Sequence, residues 1–190
     1  MAVHRPSSGS GFALIEVLIA TVVLTGAALV VVALFAAATR SIQTANTMSR
    51  AAVLAGEKLD QLRALVWCYA ADGSAQSDLT SDLSTEPPTN SGQGLAPSPA
   101  TSLKQNIAGY VDYLDRDGRW AGNGAAPNGI AAFVRRWNVQ AAIADPLNTR
   151  VLRVVVFPAA ASSAGAGDVP LSTGALIVGT VTRKIGRAHV

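Results

Sequence analysis

From Phe12 to Ala38 the chain reads FALIEVLIATVVLTGAALVVVALFAAA, 27 residues in which Glu16 is the only charge. A helix of that length spans about 40 Å at 1.5 Å per residue, against a hydrocarbon core of roughly 30 Å. A helix that is apolar on every side has to be buried, and this one is long enough to be buried in a bilayer. The preceding MAVHRPSSGSG is short, polar and basic, and Arg5 favours a cytoplasmic N-terminus by the positive-inside bias. A secretory signal cleaved near Ala38 competes with this reading, because ALFAAA offers small residues for cleavage. Its apolar stretch would be unusually long, however, and a carboxylate at the cytoplasmic edge is foreign to a signal core.

The helical pattern does not stop with the apolar block. No proline occurs between Pro6 and Pro87, so one helix over 12–67, on the order of 80 Å long, is expected, with 12–38 in the membrane. Past Arg40, Ala45, Met48, Ala52, Ala55, Leu59, Leu62 and Val66 recur three and four apart as one apolar stripe, while Ser49, Arg50, Glu57, Asp60 and Arg63 fall mostly off it. A coiled coil needs more heptads and less alanine than this. A β-rich segment follows, so the stripe is expected to pack on a sheet through Met48, Ala52, Ala55, Leu59, Leu62 and Val66.

The run Gly11-Phe12-Ala13-Leu14-Ile15-Glu16-Val17-Leu18-Ile19-Ala20 closely resembles the cleavage and methylation segment of type IV prepilins and type II secretion pseudopilins. The likeness combines a short basic leader ending in Gly, an immediate Phe, a Glu five residues into the mature chain, and a long helix that turns amphipathic. Residues 51–63, AAVLAGEKLDQLR, are similar to the matching helix segment of PilV-like minor pilins. Ala13 stands where the family often has Thr, and Gly26 is the only helix-breaking residue in an apolar half where major pilins often carry a proline. This departure favours a minor pilin or pseudopilin.

The resemblance implies cleavage between Gly11 and Phe12 by a membrane aspartyl prepilin peptidase, which also methylates the new amine of Phe12. The protein would then be a substrate and a structural subunit, and not an enzyme. A scissile residue without a side chain lets the backbone approach a catalytic site closely, which suits Gly11. Glu16 has an independent physical reading. A carboxylate in an apolar helix costs about 2.5–3.5 kcal/mol on insertion scales and needs a partner or a path to water. Cleavage would supply the Phe12 amine, on the same chain or a neighbouring subunit, making Glu16 an assembly and docking device. The alternative is a Glu that snorkels to the cytoplasmic edge.

The remainder narrows the function classes. The net charge of +3 shrinks once Arg5 and Arg187 are set aside, leaving 13 of the 15 basic residues against 12 acidic ones, so nucleic-acid binding loses its support. His4 and His189 sit at the two extremes, which leaves no imidazole for a triad or a His-ligated metal in the body. Cys68 is the single cysteine and reads as a small buried hydrophobe at the helix end. No cofactor is expected. The stretch 72–102 is rich in Ser and Thr without Lys or Arg, and is expected as a surface loop or a contact for neighbouring pilins.

Short Val/Ile-rich runs at Tyr110–Leu114, Ala131–Ala141, Val151–Phe157 and Ala175–Thr182 are expected to form three or four antiparallel strands. In the second run Phe133, Arg135, Trp137 and Val139 share one side, and Val134, Arg136, Asn138 and Gln140 the other. Trp120 and Trp137 are expected as core or turn packing. The acidic run Asp112 to Gly118 fails the EF-hand spacing and reads as an Asp-Gly turn, so no metal site is assigned; the pseudopilin resemblance keeps a calcium site of another kind in the β-region loops as the alternative.

The last six residues, Ile185–Val190, match the in-frame translation of the start of a common sequencing adapter, so the natural chain is expected to continue beyond Lys184. The expected organisation is a leader over 1–11, the helix over 12–67, a polar loop region over 68–106, a sheet domain over 107–184, and the foreign tail over 185–190. The fold class is α+β and pilin-like. The implied partners are prepilin peptidase, other pilins or pseudopilins, and the bacterial inner membrane, with the C-terminal part periplasmic. A type II secretion pseudopilin and a non-polymerising, single-pass anchored β-domain are the alternatives to a type IV minor pilin.

Overall fold

The computed structural model describes residues 10–69, 75–78, 80–82, 89–90, 92–124, 129–162 and 174–183. The leader before residue 10, much of the 72–102 stretch and the suspected foreign tail lie outside these. One long helix, α1 (Ser10–Ala64), is followed by strands and one short helix, an α+β chain. Two compact units divide it, Met1–Thr44 and Ala45–Val190.

Among the described residues the first unit is helix alone. Its large apolar side chains are exposed on every side, Leu14 to 74% and Val31, at the lower end, to 49%. The helix is thus long and apolar enough to cross a membrane by length and composition. Its threonine hydroxyls are satisfied within the helix: Thr21 donates to the carbonyl of Leu18 at 2.9 Å, Thr25 to that of Thr21 at 2.7 Å, and Thr39 to that of Phe35 at 2.9 Å. In a medium without water, such back-bonding removes the penalty of an orphaned polar group.

In the second unit the last turns of α1 lie on a five-stranded antiparallel sheet of order β6-β5-β7-β8-β9. The strands are β5 (Val111–Leu114), β6 (Trp120–Asn123), β7 (Phe133–Ala141), β8 (Thr149–Pro158) and β9 (Ala175–Thr182). The segment expected as loop carries two small ladders, β1 (Trp67–Tyr69) with β2 (Ala75–Ser77), and β3 (Thr80–Asp82) with β4 (Thr89–Asn90). β7 and β8 pair in unbroken register from Phe133 opposite Pro158 to Ala141 opposite Arg150. β6 was not visible as a strand, because Trp-Ala-Gly-Asn has neither alternation nor β-branched residues.

Two clusters form the core. Ala51, Leu54, Ala55, Leu59 and Leu62 of α1 pack with Phe133, Trp137, Val139, Leu152, Val154 and Val156. On the opposite face Val111, Tyr113, Val134, Val155 and Phe157 are covered by Leu103 and by Ala159 and Ala161 of α2 (Ala159–Ser162). The helix approaches edge strand β9 so closely that a Cβ on Gly179 would stand 2.6 Å from an Arg63 guanidinium nitrogen and 3.0 Å from Leu59 Cδ2.

The packing stripe of α1 differs from the expected one. Ala55, Leu59 and Leu62 are buried and Met48 half-buried, whereas Ala52 and Val66 are exposed. The buried face is rotated toward Ala51, Leu54 and Lys58, which is 0% exposed. A lysine counts as a polar face in a hydropathy pattern, yet here a partner in the sheet draws it inward. Val66 lies beyond Ala64, the last helical residue, so helical spacing does not fix its direction.

Two further expectations change, and one strand is covered on both sides. β7 is a central strand buried on both faces from Phe133 to Val139, so its alternation separates two interiors and not an inside from an outside. Trp120 on edge strand β6 is 46% exposed, while Trp137 is core. Cys68 is an exposed free thiol, since β1 pairs only with the short β2.

Candidate functional site

Gly11, Phe12 and Glu16 fall in the first two turns of α1. Residues four apart share a helix face, so the backbone sets Phe12 one turn before Glu16 on the same side. Glu16 is exposed beside Ile15, Ile19, Ala20 and Val23, in a shallow apolar groove along the helix. Among the described residues its carboxylate has no ion-pair or hydrogen-bond partner, and it is the only ionisable side chain of the helix before Arg40. This arrangement can pair one cation, and the demand for that cation rises as water is withdrawn.

A second constellation lies inside the sheet unit. Arg135 on β7 forks onto Asp112 on β5, with Nε 2.8 Å from Oδ1 and an Nη nitrogen 2.8 Å from Oδ2. The same guanidinium donates to the Leu54 carbonyl of α1 at 3.3 Å. Lys58 Nζ reaches Asp112 Oδ2 at 3.4 Å and stands 4.0 Å from the centre of the Trp137 ring. The three charged residues are 0–4% exposed. Two cations share one carboxylate, so the cluster carries an excess positive charge.

That imbalance sets the titration. For Asp112, burial pushes the carboxyl up, but Arg135 and then Lys58 outweigh it and hold the group below its ordinary value. Its contribution is present above the ordinary carboxylate range and is lost as pH falls through the depressed value. Lys58 is lowered from 10.5 to about 8, first by burial and then by Arg135, against the pull of Asp112. Between those two values the unfolded chain holds a proton that the folded one has released, so folding stability rises with pH there.

The predicted gain is at most about 1.4 kcal/mol per pH unit. Thermal unfolding of the full chain in detergent, compared with Lys58→Met from about pH 7 to pH 10, measures it. The wild type should gain on the variant as pH passes about 8. Parallel curves would mean that Lys58 does not titrate there.

β7 fastens a loop on its other face as well. Arg136 Nε donates to Asn106 Oδ1 at 2.8 Å, and its Nη1 to the carbonyl of Lys104 at 2.7 Å. The acidic run 112–118 does not converge on one point. Asp112 belongs to the buried cluster, and Asp115 Oδ1 accepts the backbone N–H groups of Asp117 and Arg119, each at 2.8 Å. Gly118, at φ 84°, closes that turn. Among the described residues no group of three His, Cys, Asp or Glu side chains is placed to hold a metal.

Sequence reading singled out Gly11, Phe12 and Glu16 as expectations and missed the Lys58–Asp112–Arg135 cluster that the structure shows. Its members are 54 and 23 residues apart, and only pairing of β5 with β7 brings Asp112 opposite Arg135. A lysine in an alanine- and leucine-rich helix face was the one available sign. Compared with known proteins, the chain matches no family model, no curated protein and no solved structure.

Proposed function

We propose that this protein is a minor pilin: a structural and assembly subunit of a bacterial type IV pilus, held in the inner membrane through α1 with its sheet unit in the periplasm. In this reading it is trimmed after Gly11, methylated on Phe12 and docked into the fibre through Glu16. One observation carries the reading, a 55-residue helix whose only carboxylate before Arg40 lies one turn past a Gly-Phe junction. A carboxylate in that position is costly for a simple anchor and useful to a subunit that must select a neighbour's amine. The α+β build supports it, since the second part of α1 covers one face of an antiparallel sheet. The chain supplies no chemistry in this role; the prepilin peptidase does.

Intact-mass analysis of the membrane-extracted protein, from cells that make the peptidase, tests processing. The mature chain is expected to begin at Phe12 and to carry one extra methyl group. Gly11→Leu should leave the precursor uncut, because a branched side chain then occupies the scissile position. A mature N-terminus near Thr39 would identify a secretory signal and remove the pilin reading.

A further inference from the structure

A polar cleft of about 220 Å3 opens at the sheet edge, where the turn at Gly92 and Gln93 meets Gly109 and strands β5 and β6. Asp112, Asn123, Trp120 and Trp137 line it as well. Asn123 is the direct register partner of Asp112, so their side chains leave the same face of the ladder. The cleft exists because two positions lack side chains. A Cβ on Gly92 would collide with the Gly109 carbonyl oxygen and stand 2.8 Å from Trp137 Cζ2, and Gln93 lies across Gly109.

The Trp137 Nε1–H is buried without a hydrogen-bond partner, and Trp137 is only 1% exposed. Its Cζ2 faces Gly92, so the edge that carries Nε1 borders the cleft. An orphaned buried donor asks for an acceptor. One bridging water does not account for the space, which at ~30 Å3 per molecule holds about seven. Among the described residues the side-chain amides of Gln93 and Asn123 also make no protein hydrogen bond, and both residues are exposed. The loop is held in place by Gln93 N–H to Gly109 O at 3.2 Å and by Tyr110 Oη to Pro97 O at 3.2 Å.

We propose that this cleft binds a neutral polyhydroxyl ligand the size of one sugar ring. A hydroxyl both donates and accepts, so it can satisfy the Trp137 N–H and the remaining lone pair of Asp112 together. An anion would face the Asp112 carboxylate, and an ammonium group would approach the excess positive charge of Lys58 and Arg135. Gln93 and Asn123 supply donor and acceptor pairs at the rim. Trp120, 46% exposed at the mouth, offers an indole face to the apolar side of the ring. The volume lies below the roughly 300 Å3 at which sites for drug-sized ligands begin, which restricts the occupant to a single ring.

The test uses the full chain in a detergent without a sugar head group. Tryptophan emission is followed while methyl glycosides of glucose, galactose, mannose and N-acetylglucosamine are titrated in turn, with glucuronate and glucosamine as charged probes. At least one neutral glycoside should give a saturable change with a Kd on the order of 1 mM, typical of a small site. Asn123→Ala should weaken binding about tenfold and Trp120→Ala should abolish it, both read by ligand-observed NMR because Trp120→Ala also removes an emitting indole, and the circular dichroism of both variants should match that of the wild type. No saturable response to any neutral probe, a response confined to the charged probes, or equal binding by Trp120→Ala overturns the proposal. The result is independent of assembly: a chain that fails to enter a pilus can still bind the sugar, and the reverse.

Discussion

Asp112→Ala is expected to destabilise the sheet unit by about 3–5 kcal/mol, the cost of leaving buried cations without their counter-charge. Lys58 and Arg135 would face each other across the vacated position, and Trp137 offers Lys58 only a ring face. At ~2–4 °C per kcal/mol, the unfolding midpoint should drop by roughly 6–20 °C. Lys58→Met is the contrasting variant. It removes the cation with the poorer geometry and leaves the Asp112–Arg135 fork intact and neutral, so its effect should stay within about 1 kcal/mol. Combining the two substitutions should recover part of the loss from Asp112→Ala, because one orphaned cation is gone. Thermal unfolding of all three chains at neutral pH decides the matter. An Asp112→Ala chain as stable as the wild type would show that the cluster is hydrated and contributes nothing.

On the proposed pilin reading, Glu16→Ala is expected to abolish incorporation into the fibre while leaving insertion in the membrane intact or slightly improved, since an unpaired carboxylate in lipid is the costly state. Thermal unfolding of the sheet unit should not change, because its core draws on α1 from Ala51 onward. The measurement is the amount of variant in sheared fibres, or co-purified with other pilins, from cells that also make the wild-type machine. Incorporation of a processed, stable Glu16→Ala chain at the wild-type level would mean that the carboxylate only snorkels. The proposed docking mechanism would then fall, even with the rest of the pilin proposal standing.

What the sequence revealed, and what it hid, follows from the range of the interactions involved. The apolar helix, the Gly11–Phe12–Glu16 spacing and strands such as Ala175–Thr182 are local patterns, legible from period and composition. Ala52 and Val66 were misplaced because a hydropathy stripe is centred by its apolar members alone. The true face also includes Lys58, and its partner Asp112 is visible only once β5 has been placed. Arg135 and Arg136 fall on opposite sides of the 131–141 run, which says nothing of which side is covered. They are interior because β7 sits third in a five-stranded sheet, a fact of topology with no local signal. Cys68 was expected inside because an isolated cysteine is usually a core residue, but the ladder holding it is three residues long and leaves it uncovered.

The distance along the chain from Lys58 to its partners also has a consequence for the time before folding is complete. Leu54 and Arg135 are separated by 81 residues, so the second part of α1 leaves the ribosome long before anything exists for it to rest on. Through that interval Leu54, Ala55, Leu59 and Leu62 form an uncovered apolar ridge. Lys58 stands in the middle of that ridge, and while unpaired in water it is fully charged and strongly hydrated. The same side chain that adds little to the finished fold therefore interrupts the sticky surface of the waiting one, and withdraws from water only when β5 and β7 arrive to receive it.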